Sequence, residues 1–301
     1  MPSLRTLPAD LRLFAKYHLR RRVYDYPARE TELGVFDLGF ELDAFAARMK
    51  SAGAGREVEC LDRPRYRDRD YPIFCVATRR EGTRRTLLVL GGVHGNEHAG
   101  ILAVPEILER FAQPEVRLVA IAPVNPVGAA QMSRYNAGGF DVNRDFVRFE
   151  TPEARAVRTV LQREKPDFVV SLHEGPQEGT FMFLNRLVDL PLACRLADRL
   201  AAGGTRLATK DYFGRTLRPP GVAAKSRALS VIESLWAATL GMKATGVWCE
   251  GFGIPEITLE SSWSSNDRKS RVRAHVDLVL GLAAELARAA DGGTRSAGTD
   301  R

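Results

Sequence analysis

Four short stretches of this 301-residue chain combine residue types that can do chemistry. His94-Gly95-Asn96-Glu97 sets an imidazole and a carboxylate three residues apart, directly after the aliphatic run Thr86 to Leu90 and the pair Gly91-Gly92. His173 ends the run Asp167 to Leu172 (DFVVSL), and Glu260 ends Pro255 to Leu259 (PEITL). Ser133 to Phe146 (SRYNAGGFDVNRDF) gathers Arg134, Arg144 and two asparagines around glycines. Two imidazoles and one carboxylate, with a fourth position left to water, are the donor set of a catalytic rather than a closed structural zinc site. Zinc brings the pKa of its bound water to about 7, and a neighbouring carboxylate can take that proton and pass it to a leaving amine. Arginine suits either bidentate capture of a substrate carboxylate or stabilisation of a carbonyl oxygen that becomes an oxyanion.

These groups work together only if the elements carrying them end at one place. From about residue 86 onward, short aliphatic runs alternate with longer amphipathic stretches, which predicts an α/β domain with a largely parallel sheet. Thr86 to Leu90, Val116 to Ala122, Asp167 to Leu172 and Ile257 to Leu259 read as strands. Glu97 to Phe111 (with Pro105 as a kink), Thr151 to the residue before Pro166, Ser226 to Leu240 and Arg271 to Ala290 read as helices. Thr151-Pro152-Glu153 is a strong helix start, because threonine caps free amides, proline is tolerated in the first turn and glutamate suits the positive helix end. Parallel strands deliver their last residues to one sheet edge, where α/β sheets place their ligands. His94, His173 and Glu260 all follow or close such strands. A rival reading takes His94 to His98 as H-x-x-E-H, two histidines one helical turn apart on a helix. Gly91, Gly92 and Gly95 oppose it, since glycine costs about 1 kcal/mol in a helix interior relative to alanine.

Composition bounds the rest. A 45 % hydrophobic, 27 % charged chain of this length can bury one large core. The expected organisation is one domain over residues 1–290, less regular before about residue 80 apart from one helix, with a tail over 291–301. Four scattered cysteines without a C-x-x-C pair oppose a disulfide framework and a cysteine-ligated zinc. Charged residues interrupt the N-terminal apolar positions, so a secretory signal is not expected and the predicted location is cytoplasmic. No run is long enough for a membrane helix. The net charge of +7 is concentrated at Arg20 to Arg22 and Arg79 to Arg85. Without a recognition helix, zinc finger or aromatic RNA-binding signature, these read as solvated basic surface rather than a nucleic-acid site.

The four stretches occur in one order and resemble the motifs of the zinc metallocarboxypeptidase superfamily, near its succinylglutamate desuccinylase/aspartoacylase and murein peptide amidase branches. GGVHGNEHAG resembles the first zinc motif, RYNAGGFDVNRDF the arginine and Asn-Arg segment, SLHEG the second zinc-ligand strand and IPEITLE the strand ending in the catalytic glutamate. The resemblance implies one zinc ion per chain on His94, Glu97 and His173, carbonyl polarisation by Arg134, carboxylate recognition by Asn143 and Arg144, and base and acid catalysis by Glu260. It also implies a central mixed, mostly parallel eight-stranded sheet flanked by helices. Many digestive-type members carry a substrate-covering tyrosine shortly before the catalytic glutamate; Thr239 to Trp248 has none, and Tyr212 is a candidate replacement.

The expected function is hydrolysis of an amide bond beside a free carboxylate, by attack of zinc-bound water assisted by Glu260, on a small peptide or N-acyl amino acid. Deacylation of N-acyl amino acids and cleavage of cell-wall peptides are alternatives within the same chemistry. A catalytically inactive carboxylate-binding protein is the alternative of a different class, opposed by the complete set of metal and base candidates.

Overall fold

The computed structural model describes residues 15, 19, 20, 22, 23, 40–225, 227–263 and 267–295. In chain order these form α1 (Leu42–Ala52), β1 (Glu57–Asp62), the small hairpin β2 (Arg65–Tyr66) and β3 (Arg69–Asp70), β4 (Ile73–Ala77), β5 (Arg85–Gly91), α2 (His98–Arg110), β6 (Val116–Ala122), α3 (Pro126–Gln131) and a 3-10 turn at Val142–Arg144. There follow α4 (Pro152–Glu164), β7 (Phe168–Gly175), β8 (Phe181–Leu184), α5 (Leu190–Ala202), β9 (Val222–Ala224), α6 (Arg227–Thr239), α7 (Thr245–Gly251), β10 (Glu256–Ser262) and α8 (Arg268–Arg295).

Eight strands make one mixed sheet in the order β1-β4-β6-β5-β7-β10-β8-β9, and the expected architecture is present. Its centre is parallel, β6 with β5, β5 with β7 and β7 with β10, and β9 runs parallel to β8. Antiparallel pairs join β1, β4 and β6 on one side and β10 to β8 on the other. Every residue of β6 and of β7 is buried, as strands covered on both faces require.

The two faces lead to two cores. Leu87, Val89, Leu118, Val170, Leu172, Ile257 and Leu259 pack with α1, α2, α5 and α8. Leu88, Leu90, Val119, Ile121 and Val169 pack with Val157 and Leu161 of α4 and with Trp248 and Cys249 of α7. Each such aliphatic side chain, fully buried, contributes roughly 1.5–3 kcal/mol. Because successive strand residues point to opposite faces, the same alternation sends Ser171 and His173 of β7, and Glu256, Thr258 and Glu260 of β10, to the second face. The helical cover of that face leaves room for a cavity there.

Local sequence explains the best-defined helix ends. The Thr151 hydroxyl accepts the Ala154 amide at 3.2 Å to open α4. Lys165, with φ +46°, closes it in the left-handed region ahead of Pro166. Two boundaries differ from expectation. Residues 57–77, expected to be less regular, supply two strands of the main sheet. The edge strand β1 exposes Glu57, Val58 and Glu59, so it lacks an apolar alternation, and β4 is only five residues long. At the other end α8 continues to Arg295, into the segment expected as a tail, and residues 296–301 lie outside the described residues. No helix among the described residues is long and apolar enough to cross a membrane.

Candidate metal centre and cavity

The turn from β5 to α2 carries the first motif. Gly92 takes φ +74°, and a Cβ on Gly95 would come within 2.0 Å of the Gly128 backbone, so α3 approaches the turn at a distance only glycine permits. His94 and Glu97 sit in this turn, and the helix begins only at His98. The two histidines of the inverted motif therefore do not share a helix. His98 is buried, with Nε2 3.1 Å from the Ala129 carbonyl oxygen and its ring 5.0 Å from that of Phe40. It lies outside the metal-ligating cluster.

That cluster is His94, Glu97 and His173, all buried, with one donor atom from each lying within 4.8 Å of the others. His94 Nδ1 is 2.7 Å from Glu97 Oε1, His173 Nδ1 is 2.7 Å from Glu97 Oε2, and the two Nδ1 atoms are 3.1 Å apart. Three electron-pair donors thus converge on one point, and their mixture of imidazole and carboxylate suits a divalent transition-type ion such as zinc. The ionisation of two of the three, His173 and Glu97, fits as well. Burial holds His173 down, towards the neutral form, against the raising effect of Glu97. Burial alone would raise Glu97, but the two imidazoles outweigh it and hold the carboxyl far below its usual range. His94 is raised: burial and Arg134 pull it down, and the Glu97 and Asp141 carboxylates more than offset them.

The surrounding residues fix the cluster. Asp141 is wholly buried; its Oδ1 is 3.2 Å from His94 Nε2 and its Oδ2 accepts Arg134 Nε at 2.9 Å. Arg134 Nη1 lies 3.4 Å from His94 Nδ1 and 4.0 Å from Glu97 Oε1. Burial opposes ionisation of Asp141, but Arg134, Arg144 and His94 together keep its carboxyl well below the ordinary value. Glu174, next to His173, accepts the Ala99 amide of α2 at 2.8 Å and pairs with Arg271 of α8 at 2.8 Å, tying both helices to β7.

Beside the cluster opens a cavity of about 520 Å³ lined by His94, Glu97, Arg134, Asn143, Arg144 and Glu260, among others. Glu260 pairs in register with His173 across the parallel β7–β10 ladder, which is why two strand-end residues far apart in sequence meet. Burial first, then repulsion from Glu97, pushes the Glu260 carboxyl well above its ordinary value, with Arg134 opposing. Asn143 Oδ1 accepts the Thr245 amide at 3.1 Å and its hydroxyl at 3.2 Å, and Arg144 Nη1 donates to the Asn143 carbonyl at 3.0 Å. Tyr212, Phe183 and Phe213 line the cavity, whereas Phe181 is fully buried behind them, its ring 4.8 Å from Phe183.

Sequence reasoning therefore placed seven residues whose side chains the fold gathers at or around one cavity, and it missed others. Asp141 lay inside a quoted motif without a role; an aspartate between Arg134 and Arg144, two residues after a glycine pair, was the available signal. Glu256 and Thr258 carried the period-2 alternation of β10 but were not distinguished from its apolar residues.

Comparisons with known proteins agree with this geometry. Residues 83–202 match the family model of the succinylglutamate desuccinylase/aspartoacylase catalytic domain; that stretch holds six of the seven named residues and stops short of Glu260. Probable carboxypeptidase 2 of Arthroderma benhamiae is 30 % identical over 100 residues, 30 % of this chain and 19 % of that protein. Carboxypeptidase 2 of Trichophyton tonsurans is 29 % identical over 93 residues, 28 % of this chain and 17 % of that protein. The chain thus spans about a fifth of the length of these curated relatives. Among solved structures, a Shewanella denitrificans OS217 protein provisionally classed as a metallopeptidase superposes with a TM-score of 0.63 at 19 % identity, covering 81 % of this chain and 90 % of that one. A metallo-carboxypeptidase from Pseudomonas aeruginosa, in complex with (2-guanidinoethylmercapto)succinic acid, gives 0.57 at 20 % identity, covering 80 % and 68 %. At such identities these structures establish the fold. In fold the chain is metallocarboxypeptidase-like, and its residues 83–202 resemble the succinylglutamate desuccinylase/aspartoacylase catalytic domain.

Proposed function

We propose that this chain binds one zinc ion through His94, Glu97 and His173 and hydrolyses an amide bond next to a free carboxylate, in a peptide or an N-acyl amino acid. The observation that carries the reading is the convergence of His94 Nδ1, His173 Nδ1 and the Glu97 carboxylate at the wall of a cavity that Glu260 and Arg134 also line. A bound zinc ion would polarise the scissile carbonyl and make a water acidic enough to attack it at neutral pH.

The chain's own groups supply the rest. Glu260 takes a proton from the attacking water and returns it to the leaving amine nitrogen as the C–N bond breaks; one water is consumed and a carboxylate and an amine result. Burial and the Glu97 charge together favour the protonated form of Glu260; a bound cation would offset the Glu97 part and favour its action as base. Arg134, held through Nε by Asp141, keeps Nη1 towards the reacting carbonyl, where negative charge develops. Asn143 and Arg144 bind the free carboxylate, for which a guanidinium gives paired hydrogen bonds. The substituted succinic acid bound in the Pseudomonas aeruginosa structure is in keeping with a carboxylate-bearing ligand. Asp141 orients His94, as a second carboxylate commonly does for a ligating imidazole.

The test is elemental analysis of purified protein combined with hydrolysis of N-acyl amino acids and dipeptides, before and after treatment with 1,10-phenanthroline. One zinc per chain and activity that disappears on chelation and returns with zinc are expected, with little activity on substrates whose carboxylate is amidated. Retention of no metal, or equal rates on free and amidated substrates, would overturn the reading.

A further inference from the structure

The inner end of the cavity carries charges that hydrolysis itself does not use. β10 turns Glu256, Thr258 and Glu260 to the cavity and Ile257 and Leu259 to the core. Glu256 therefore lies about 13 Å along the strand from the proposed base, at roughly 3.3 Å per residue. Its side chain belongs to a residue only 2 % exposed, and its Oε1 accepts the Thr258 hydroxyl at 2.8 Å. Among the described residues it makes no ion pair. Lys225 also lines this end, but its ammonium is held by Glu233 at 2.6 Å and Glu250 at 3.0 Å, so the lysine is already matched. A Cβ on Gly246 would come within 2.5 Å of Glu256 Oε2; only glycine leaves the carboxylate room there. Burial, resisted by the Thr258 and Ser171 hydroxyls, pushes the Glu256 carboxyl up to about 7, which marks a charge lacking a partner.

We propose that Glu256 sets the specificity of this site, and that the amino acid released carries a long side chain ending in an ammonium or guanidinium group. The inference rests on the hydrolase reading above and names its substrate class. Phe183, Ala223 and Val247 offer apolar wall to the methylene stem, and the Glu256 carboxylate meets the cationic head at the end of it. An acidic side chain would meet the Glu256 and Glu233 carboxylates, and the lysine beside them is already paired with Glu233 and Glu250. A short aliphatic side chain would stop short of Glu256 and leave it buried without a cationic partner.

The experiment measures kcat/KM of zinc-loaded protein on N-benzoylglycyl-arginine, -lysine, -leucine, -phenylalanine and -glutamate, and repeats it with Glu256→Gln and Gly246→Ala. Calorimetric titration of wild type and Glu256→Gln with N-acetyl-arginine and N-acetyl-leucine runs alongside. Arginine and lysine substrates should be preferred by roughly 10- to 100-fold, the worth of a charge-assisted contact, and both variants should lower that preference while keeping their zinc. A preference for leucine, phenylalanine or glutamate, or variants that slow all substrates equally, would overturn the proposal. If no substrate is cleaved, the hydrolase reading fails by itself. Tighter binding of N-acetyl-arginine that Glu256→Gln abolishes would then still support the pocket assignment, and equal binding of both probes would sink it.

Discussion

The parallel strands end in two clusters of charge, each with a buried centre, that are built in opposite ways. At the amino-terminal edge Arg117 of β6 donates Nε to Glu164 at 3.0 Å and Nη2 to Glu57 at 2.7 Å, and Nη1 also reaches the Thr78 carbonyl. Arg80 and Arg163 add further bonds to Glu164. Donors there face acceptors, and the guanidinium and carboxylates neutralise one another. At the carboxyl-terminal edge the Glu97 carboxylate and two imidazole Nδ1 atoms face one another, and the cluster becomes electrostatically complete with a cation at their centre. The first cluster is complete with protein atoms alone and holds β1, β6 and α4 together. The second is arranged for something the chain does not itself encode. What separates the two clusters is therefore the balance of donors and acceptors rather than burial, which Arg117 and Glu164 share with His94, Glu97 and His173.

Substitutions should sharpen that distinction. The largest effect is expected from His173→Ala: zinc per chain falling from near one to near zero and kcat/KM dropping by more than about 1,000-fold, while His98→Ala keeps its zinc, both read by elemental mass spectrometry. Zinc lost from His98→Ala instead would restore the inverted motif. Glu260→Gln should retain zinc yet lose roughly 100- to 10,000-fold in kcat, the range for removing a general acid–base group. Arg117→Met should do the reverse. It removes the one buried cation bonded to Glu164, which keeps only the half-exposed Arg80 and Arg163, and should cost about 3 kcal/mol in urea unfolding, with the folded fraction still holding zinc. The smallest effect concerns Glu153, buried in the first turn of α4 with Asn136 Nδ2 donating at 2.8 Å and its carboxyl pushed up to about 7 by burial. Because the folded state keeps this proton to a higher pH than the unfolded state does, the chain should lose stability as pH rises from about 4.5 to about 7, by on the order of 3 kcal/mol. Glu153→Gln should flatten that slope in melts taken across the same range. An unchanged slope would assign it to other groups.

Much of the fold was legible because its central strands are short aliphatic runs with clear punctuation. Val116–Ala122 is readable to the residue, since Pro123 closes it, and α4 begins and ends where Thr151 and Pro166 dictate. The edges were not legible. The exposed, charged face of β1 hides its pairing, and β8 and β9 are four and three residues long. Leu190–Ala202 offered a readable helix, with Asp189 capping Leu192 at 3.2 Å and Ala193, Leu196, Ala197 and Leu200 on one face, yet it lies among segments that received no assignment. Of the site, the members that close or follow aliphatic strands were accessible. Asp141 and Glu256 were not, because the value of a buried carboxylate depends on what surrounds it: Arg134 and His94 for one, a cavity wall for the other.

The residue types and their order were enough to name a candidate metal-ligating set, His94, Glu97 and His173, and a carboxylate beside it, Glu260, since each follows or ends a run that reads as a strand, and parallel strands end together. Only the tertiary structure decided that Asp141 joins His94 to Arg134, that His98 turns away towards Ala129, and that Glu256 faces the same cavity as Glu260. The reason is physical. Strand alternation sets which side of the chain a residue occupies, but the partner it meets there comes from another strand or loop, and that neighbour is set by packing across the whole sheet.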